Sequence, residues 1–560
     1  MIGARAGTGT RVRRLAARAA ARNLTAFVVP GLEVARAHGL DSVAAGLRVV
    51  PTPRHANVLL LVGEIPPGLA PAAAVVYAQM PRPRAILVAG VDPVPPLPAP
   101  DVTVDLAQDD LVAGVARLRH MFATGSWVVD PIAFDVPAVR PQEDEQGGGR
   151  GHGAMDMGQG EHDGAGHEDM GGMDMPHDDH NNHGAMDLAH DDAGGMDMGM
   201  GSGFMSMVMM TRDLPRSPDG LPMEWLETPF GPLFPGLPGG LALTFTLDGD
   251  AVATAVVTPG GLARGVVPAR PISVAALPAR LGRLDPLAPV AYRLLALRAL
   301  EDAAGVAVDA GTARKRVGAL EWERAASHLG WLASFGSLLG DRWMADHAAA
   351  LQRALLRAPD AATVARLQPA VTLFAGRVRH IPYLRRRLDG VGRPHTVHLT
   401  KESEPARFTA GALARATGHR GPVARAAGVA SDARLDDPAY HALEFAPVVY
   451  RGDDAWARLR VRLAELARSL DLVLAAGSVA LPSEPLMTGA GGAGVATVET
   501  PRGAATLRLA VDGGTVRAVV LDTPSAHQVG LVPSVAQGRE VGDALVGVAS
   551  LDLSPWELDR

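Results

Sequence analysis

The sequence contains no cysteine. It therefore makes no disulfide, no thiolate nucleophile and no cysteine zinc site, and it lacks the thiolates that ordinarily hold an iron–sulfur cluster. Lysine is nearly absent as well: Lys315 and Lys401 are the two, so almost all positive charge is arginine, a bias of composition rather than a functional signal. No apolar run approaches the roughly 18 uninterrupted residues of a transmembrane helix, and residues 471–482, which come nearest, are too short. The start of the chain sets Arg5, Arg11, Arg13, Arg14, Arg18 and Arg22 among alanines and lacks the apolar segment of a secretory signal. Residues 1–22 read as an exposed, partly helical basic arm. No GxxxxGK(S/T), GxSxG or HExxH motif occurs, which removes local support for a P-loop, a serine-hydrolase elbow or a zincin. The net charge of −7 points to no particular partner and gives no sign of nucleic-acid binding.

What is present divides into three parts, as 560 residues at about 150 per domain would allow. Residues 23–140 read as an α/β unit. Val58–Val62 and Ala85–Ala89 are short apolar runs, each followed by glycine (Gly63 and Gly90), as buried parallel strands often are. Between them the alanine-rich stretch Ala70–Met80 predicts a helix, halted by Pro81-Arg82-Pro83, and strand, helix, strand implies a right-handed crossover.

Residues 141–220 differ in kind. Residues 143–197 hold fifteen carboxylates against one arginine, a local charge of −14 that leaves the rest of the chain at +7. Glycine, histidine, aspartate and methionine dominate, with almost nothing to bury, so the tract is expected to be disordered. His152, His162, His167, His177, His180, His183 and His190 lie among the carboxylates. Beside them a Met-Asp-Met pattern repeats, at Met155 and Met157, at Met173 and Met175, and at Met196 and Met198. Thioethers suit Cu(I), whereas imidazole and carboxylate suit Cu(II), Ni(II) or Zn(II). A metal-capturing tract and a merely solvated linker both fit this composition.

Residues 221–560 form the largest part. Leu241–Leu247, Asp248-Gly249-Asp250 and Ala251–Val257 predict a β-hairpin, and Thr506–Val520 around Asp512-Gly513-Gly514 a second. Helical periodicity covers 287–304, 314–339, 341–357 and 454–475, with Val317, Leu320, Ala325, Leu329, Leu332 and Phe335 forming a stripe on one face. The expected shape is a helical bundle with β elements at both ends. On its second helix Glu321, Arg324 and His328 are spaced to neighbour one another, either as a polar network beside a cavity or as a structural ion pair with a satisfied histidine.

The first part resembles the small, terminal-cluster subunit of respiratory complex I and of [NiFe] hydrogenases. Thr52-Pro53-Arg54-His55-Ala56-Asn57-Val58, Gly63, Leu69-Ala70-Pro71 and Tyr77 through Arg84 are similar to that family's "PRxADV…G…APxxxxxYxQMPxPR" run. The third part resembles the larger subunit that faces it in complex I, a relative of the hydrogenase large subunit. Gly231-Pro232 to Asp250 is similar to its "GPxHPxxHGxLxLxLxLDGE" hairpin, and Ala288–Tyr292, Glu321, Arg324, Ser327–Leu329, Arg425, Asp432, Arg434 and Pro438 to its core segments. The resemblance implies a flavodoxin-like parallel sheet followed by an α+β, hydrogenase large-subunit-like domain.

The departures from that pattern shape the functional expectation. The first paired cluster cysteines of the small subunit fall on Val29 through Leu32, and the third on Val91-Asp92. The quinone histidine falls on Pro238, the quinone tyrosine on Pro286 and the aspartate supporting the histidine on Leu338. The resemblance thus implies a fused scaffold without iron–sulfur or nickel–iron centres, peripheral on the cytoplasmic face of the membrane and docked on integral antiporter-like subunits. The alternatives are a continuing NADH:quinone oxidoreductase contribution, with quinone at the interface and His328 or Glu321 supplying protons, and Cu, Ni or Zn handling by the tract.

Overall fold

The computed structural model describes residues 16–91, 93, 95–125, 226–258, 265–394, 418–482 and 491–558. Outside the described residues lie Asp92, residues 1–15 of the basic arm and the whole histidine/methionine tract. Every metal candidate therefore falls outside them: His152, His162, His167, His177, His180, His183 and His190, and with them Met155, Met157, Met173, Met175, Met196 and Met198. The described part of the arm, residues 16–22, is helical and buries Ala17 and Ala21, so this stretch is docked through its alanines rather than wholly exposed.

Five parallel strands follow: β1 (Thr25–Val29), β2 (Arg48–Val49), β3 (Val58–Val62), β4 (Ala85–Ala89) and β5 (Val102–Val104), in the order β2-β1-β3-β4-β5. Every residue of β1, β3 and β4 is buried, as a parallel sheet covered on both faces requires. Gly63 and Gly90 leave their strands with φ of 71° and 123°, conformations open to glycine. Helices α1 (Leu32–Ala37), α2 (Ala70–Gln79) and α3 (Gln108–Thr124) make connections between strands or follow the last of them. The strand order reverses between β1 and β3: the chain steps outward from β1 to β2, then returns across β1 to β3.

The second half opens with an antiparallel sheet of β6 (Leu226–Phe230), β7 (Ala242–Asp248) and β8 (Ala251–Thr258). The main helices are then α4 (Pro289–Ala304), α5 (Ala310–Leu338), α6 (Arg342–Leu356), α7 (Ala361–Arg379) and α8 (Pro382–Leu388). After α9 (Gly421–Ala426) and α10 (Ala455–Ala476), strands β10 (Gly492–Thr500), β11 (Gly503–Asp512) and β12 (Thr515–Asp522) join the earlier β9 (Ile272–Ser273) in a sheet of order β10-β11-β12-β9. Both expected hairpins are present, and the second turns at Gly513 and Gly514 with φ of 55° and 74°, the paired left-handed geometry of a type I′ turn.

The one-face stripe on α5 is corrected by its surroundings. Val317 packs with Tyr440, Phe445 and Leu472; Leu320 joins the core between α4 and β11; Leu329, Leu332 and Phe335 enter the main helical core. α5 is enclosed on several sides, so its apolar residues are divided among three cores rather than gathered on one face. After α11 (Val541–Leu551) comes Trp556, which is buried not among the helices but in the core of the first half. The two halves form one compact unit, joined by Arg353 to Asp41 at 2.9 Å and Arg283 to Glu64 at 2.5 Å. Among the described residues no helix is long and apolar enough to cross a membrane.

Candidate functional site

Where the halves meet, the turn between β6 and β7 reaches the end of β1. Gly239 N–H donates to Glu33 Oε1 at 2.7 Å. A Cβ on Gly239 would stand 1.9 Å from the Pro30 carbonyl oxygen, so this approach is open to glycine alone. The same turn touches the end of α5, where a Cβ on Gly236 would come within 2.9 Å of the Leu338 side chain. Beneath it lies a cavity of about 130 Å³, walled by Pro238, Pro286, Glu33 and, from α5, Glu323, Ser327 and Ser334. Pro238 and Pro286, well separated in the sequence, thus face one interdomain cavity, and neither ring offers a hydrogen-bond donor there.

Glu323 is a titratable wall group of this cavity. It accepts from the Val290 and Ala291 N–H groups at 2.5 and 2.9 Å, satisfying open donors at the start of α4. Burial, only partly offset by those two donors, pushes its carboxyl up to about 8, so it is mostly protonated at neutral pH. Arg502, also on the wall, donates to Asp285 at 2.8 Å and to the Asp552 carbonyl at 3.0 Å. Behind it Tyr292 donates to Glu557 at 2.8 Å, and burial, against the pull of Arg502, raises Glu557 to about 7.

Glu321 and His328 lie on the other side of α5, and neither lines the cavity. Glu321 accepts from the Tyr440 and Ser469 hydroxyls, each at 2.6 Å, and from Arg324 and Arg434 at 3.1 and 3.2 Å. Burial alone would raise this carboxyl; the two guanidiniums and two hydroxyls outweigh it and hold it at about 2. Arg434 makes a bidentate pair with Asp432 at 2.7 and 2.8 Å and lies over the Phe445 ring. Arg425 contacts Asp432, Glu465 and Glu499 at 2.9, 2.6 and 2.8 Å. Arg324, Arg425 and Arg434 thus meet Glu321, Asp432, Glu465 and Glu499. Burial and the neighbouring Asp432 raise the Glu499 carboxyl against the pull of Arg425.

His328 Nε2 lies 3.0 Å from Glu465 Oε2. Burial lowers the imidazole against the opposing pull of Glu465, leaving a neutral ring whose Nδ1 has no hydrogen-bond partner among the described residues. The spacing of Glu321, Arg324 and His328 does bring them to one buried region, but Arg324 also turns to the Glu499 and Thr500 carbonyls and His328 to α10. The partners Glu465, Asp432, Arg434, Tyr440 and Glu499 are remote in sequence. Glu323, two residues beyond Glu321, is the group that spacing analysis passes over.

At two of the positions that the resemblance assigns to cluster cysteines the side chains are hydrocarbon: Val29 is fully buried in β1 and Leu32 packs against the same core. Neither supplies an iron ligand, so these residues do not fit a cluster there. Among the described residues no group of three histidine or acidic side chains is arranged to hold a metal ion.

Residues 408–491 match the family model described as "Respiratory-chain NADH dehydrogenase, 49 Kd subunit". The third part of the chain, which contains these residues, is thus similar to the 49 Kd subunit. The chain is 28% identical over 367 residues to the NADH-quinone oxidoreductase D subunit of Desulfotalea psychrophila, covering 60% of this chain and 98% of that protein. With the corresponding D subunit of Geobacillus kaustophilus it shares 25% identity over 359 residues, 59% of this chain and 96% of the relative. A chain of the membrane-bound sulfane sulfur reductase, an archaeal respiratory membrane complex, superposes with a TM-score of 0.52 at 22% identity, covering 60% of this chain and 99% of that one. That likeness is one of fold.

Proposed function

We propose that the chain is a subunit of a complex I-like membrane assembly: a fusion of a half like the small, terminal-cluster subunit with a half like the larger one, peripheral on the cytoplasmic face and docked on integral, antiporter-like subunits. On this reading it serves as a framework that holds no redox centre of its own. The observation that carries the subunit assignment is the similarity to an NADH-quinone oxidoreductase D subunit over nearly the whole length of that relative. The framework reading is supported by the absence of cysteine and by hydrocarbon at Val29 and Leu32 in an otherwise well-packed sheet. Linking two halves that share an interface raises their effective concentration for one another, which favours assembly without electron transfer.

The test is recovery of the full chain from its host's membranes in mild detergent, with metal analysis of the isolated assembly. The expected result is co-purification with integral membrane subunits and no iron assignable to this polypeptide. A chain found wholly in the soluble fraction as a monomer overturns the assembly reading; cluster signals assigned to this polypeptide overturn the framework reading.

A second reading, quinone bound between the halves, is favoured by the interdomain cavity with Pro238, Pro286 and Glu323 on its wall. Here Glu323 is the carboxyl positioned to exchange a proton near neutral pH, in place of His328 or Glu321. Quinone-dependent oxidation by the isolated assembly that falls in E323Q would support it.

A further inference from the structure

A second, larger opening lies beside the first. It has a volume of about 1020 Å³ and runs between the end of β1, α1, the turn at residues 233–239 and helices α5 and α6. On the side of the parallel sheet its wall comes from β1, α1 and β2.

Charged residues line it, among them Arg22, Arg48, Arg342 and Asp346, and one of them, Arg36, is anomalous. Arg36 is only 4% exposed, and its donors go to neutral acceptors: Gln352 Oε1 at 3.2 Å, the Gly330 carbonyl at 3.4 Å and Ser334 Oγ at 3.0 Å. Other buried arginines are treated differently. Arg316, Arg324, Arg425, Arg434, Arg458 and Arg502 each contact a carboxylate. Arg84 covers the carbonyls of Tyr77, Ala78 and Met80 at the end of α2, the negative pole of that helix. Among the described residues Arg36 has neither a carboxylate in ion-pair contact nor a helix end. Glu33, one turn earlier on α1, attracts the guanidinium from a distance but gives an oxygen to Gly239 N–H; Arg353, which adds a smaller repulsion, is paired with Asp41. A buried guanidinium without a paired counter-charge is costly, and burial lowers this one to about 10. Much of the remaining wall is hydrocarbon, with Leu40, Leu233, Phe234 and Ala349 lining the same opening as Arg36.

We propose that this cleft binds an anionic amphiphile, a carboxylate or phosphate head on a hydrocarbon tail, with the head neutralising Arg36 and the tail along the apolar wall. The pairing uses what a planar guanidinium offers best, a forked donor set matched to carboxylate or phosphate oxygens. The proposal does not rest on the subunit assignment above; the cleft shares Glu33 and Ser334 with the smaller cavity.

The test titrates the purified full chain by calorimetry with dodecyl phosphate, laurate, dodecanol and inorganic phosphate, each below micellar concentration. Both amphiphilic anions should bind at least about tenfold more tightly than dodecanol, the scale of one charge-assisted hydrogen bond, and inorganic phosphate should bind more weakly than dodecyl phosphate. Whichever anion binds better identifies the head as phosphate or carboxylate. R36Q should erase the preference for anion over alcohol. Because R36Q also removes contacts across the interface, A349W serves as a second variant: it fills the apolar wall, leaves Arg36 intact and should weaken both tailed anions. Equal binding of dodecanol and the anions, an R36Q chain that is folded and keeps its anion preference, or A349W binding like the parent overturns the proposal.

Discussion

Glu321 and Glu323 sit two residues apart on α5, both buried, and they have opposite acidities: one carboxyl is held at about 2, the other pushed up to about 8. Two residues turn a helix by about 200°, so the pair looks into different surroundings. On one side Arg324, Arg434, Tyr440 and Ser469 converge on the carboxylate. On the other, two backbone N–H groups and an interdomain cavity meet Glu323. Burial by itself favours the neutral acid; the ionised form persists inside a protein where guanidiniums and hydroxyls replace water. One face of α5 is therefore built as fixed charge, and the other carries a proton that is held loosely near neutral pH.

The comparison breaks most severely if a guanidinium is removed. R324M leaves Glu321 with half its charge compensation and should destabilise the protein by about 3–5 kcal/mol, read as a lowered urea midpoint at neutral pH. Y440F deletes one hydroxyl donor to the Glu321 carboxylate and should cost about 1.5–3 kcal/mol in the same measurement.

The sharpest diagnostic comes from Glu323. Its folded value is raised from 4.5 to about 8, so above 4.5 the native state keeps a proton that the unfolded chain releases. Its stabilising contribution is complete below pH 4.5 and is lost as pH rises through about 8, at up to roughly 1.4 kcal/mol per pH unit. Glu321 works in the other direction: its contribution is present above 4.5 and is lost as pH falls through about 2. E323Q should change stability by about 1 kcal/mol or less near pH 4, where glutamine and the protonated acid are both neutral and both keep an acceptor oxygen, and should leave the variant the more stable by roughly 3 kcal/mol at pH 7. It should also flatten the decline between about pH 5 and 8, followed by urea midpoints across that range. A variant with the parent's slope would remove Glu323 from the neutral-pH titration.

Much of the scaffold is legible from local pattern. Val58–Val62 and Ala85–Ala89 read as buried strands because both faces of a parallel sheet demand hydrocarbon, and Asp-Gly turns mark both hairpins. The allocation of α5's faces is not legible. Its sequence carries carboxylates at 321 and 323 with hydrophobic and small residues on every side, and periodicity says nothing when all sides are enclosed. Glu321 stands out through its spacing to Arg324; Glu323 has no such local companion, because the N–H groups of Val290 and Ala291 come from another helix. Arg36 is hidden for a related reason: the short α1 gives no sign that its arginine will be buried against Gln352 and Ser334.

Trp556 places its indole in the interior of the α/β half, while the adjacent Glu557 is tied to Tyr292 and Ser525 in the other. The first half is therefore made early by the ribosome but finished late, when a residue from far down the same polypeptide arrives to close it. Until then a newly made sheet carries an incomplete interior, and the order of synthesis makes the second half its partner in maturation.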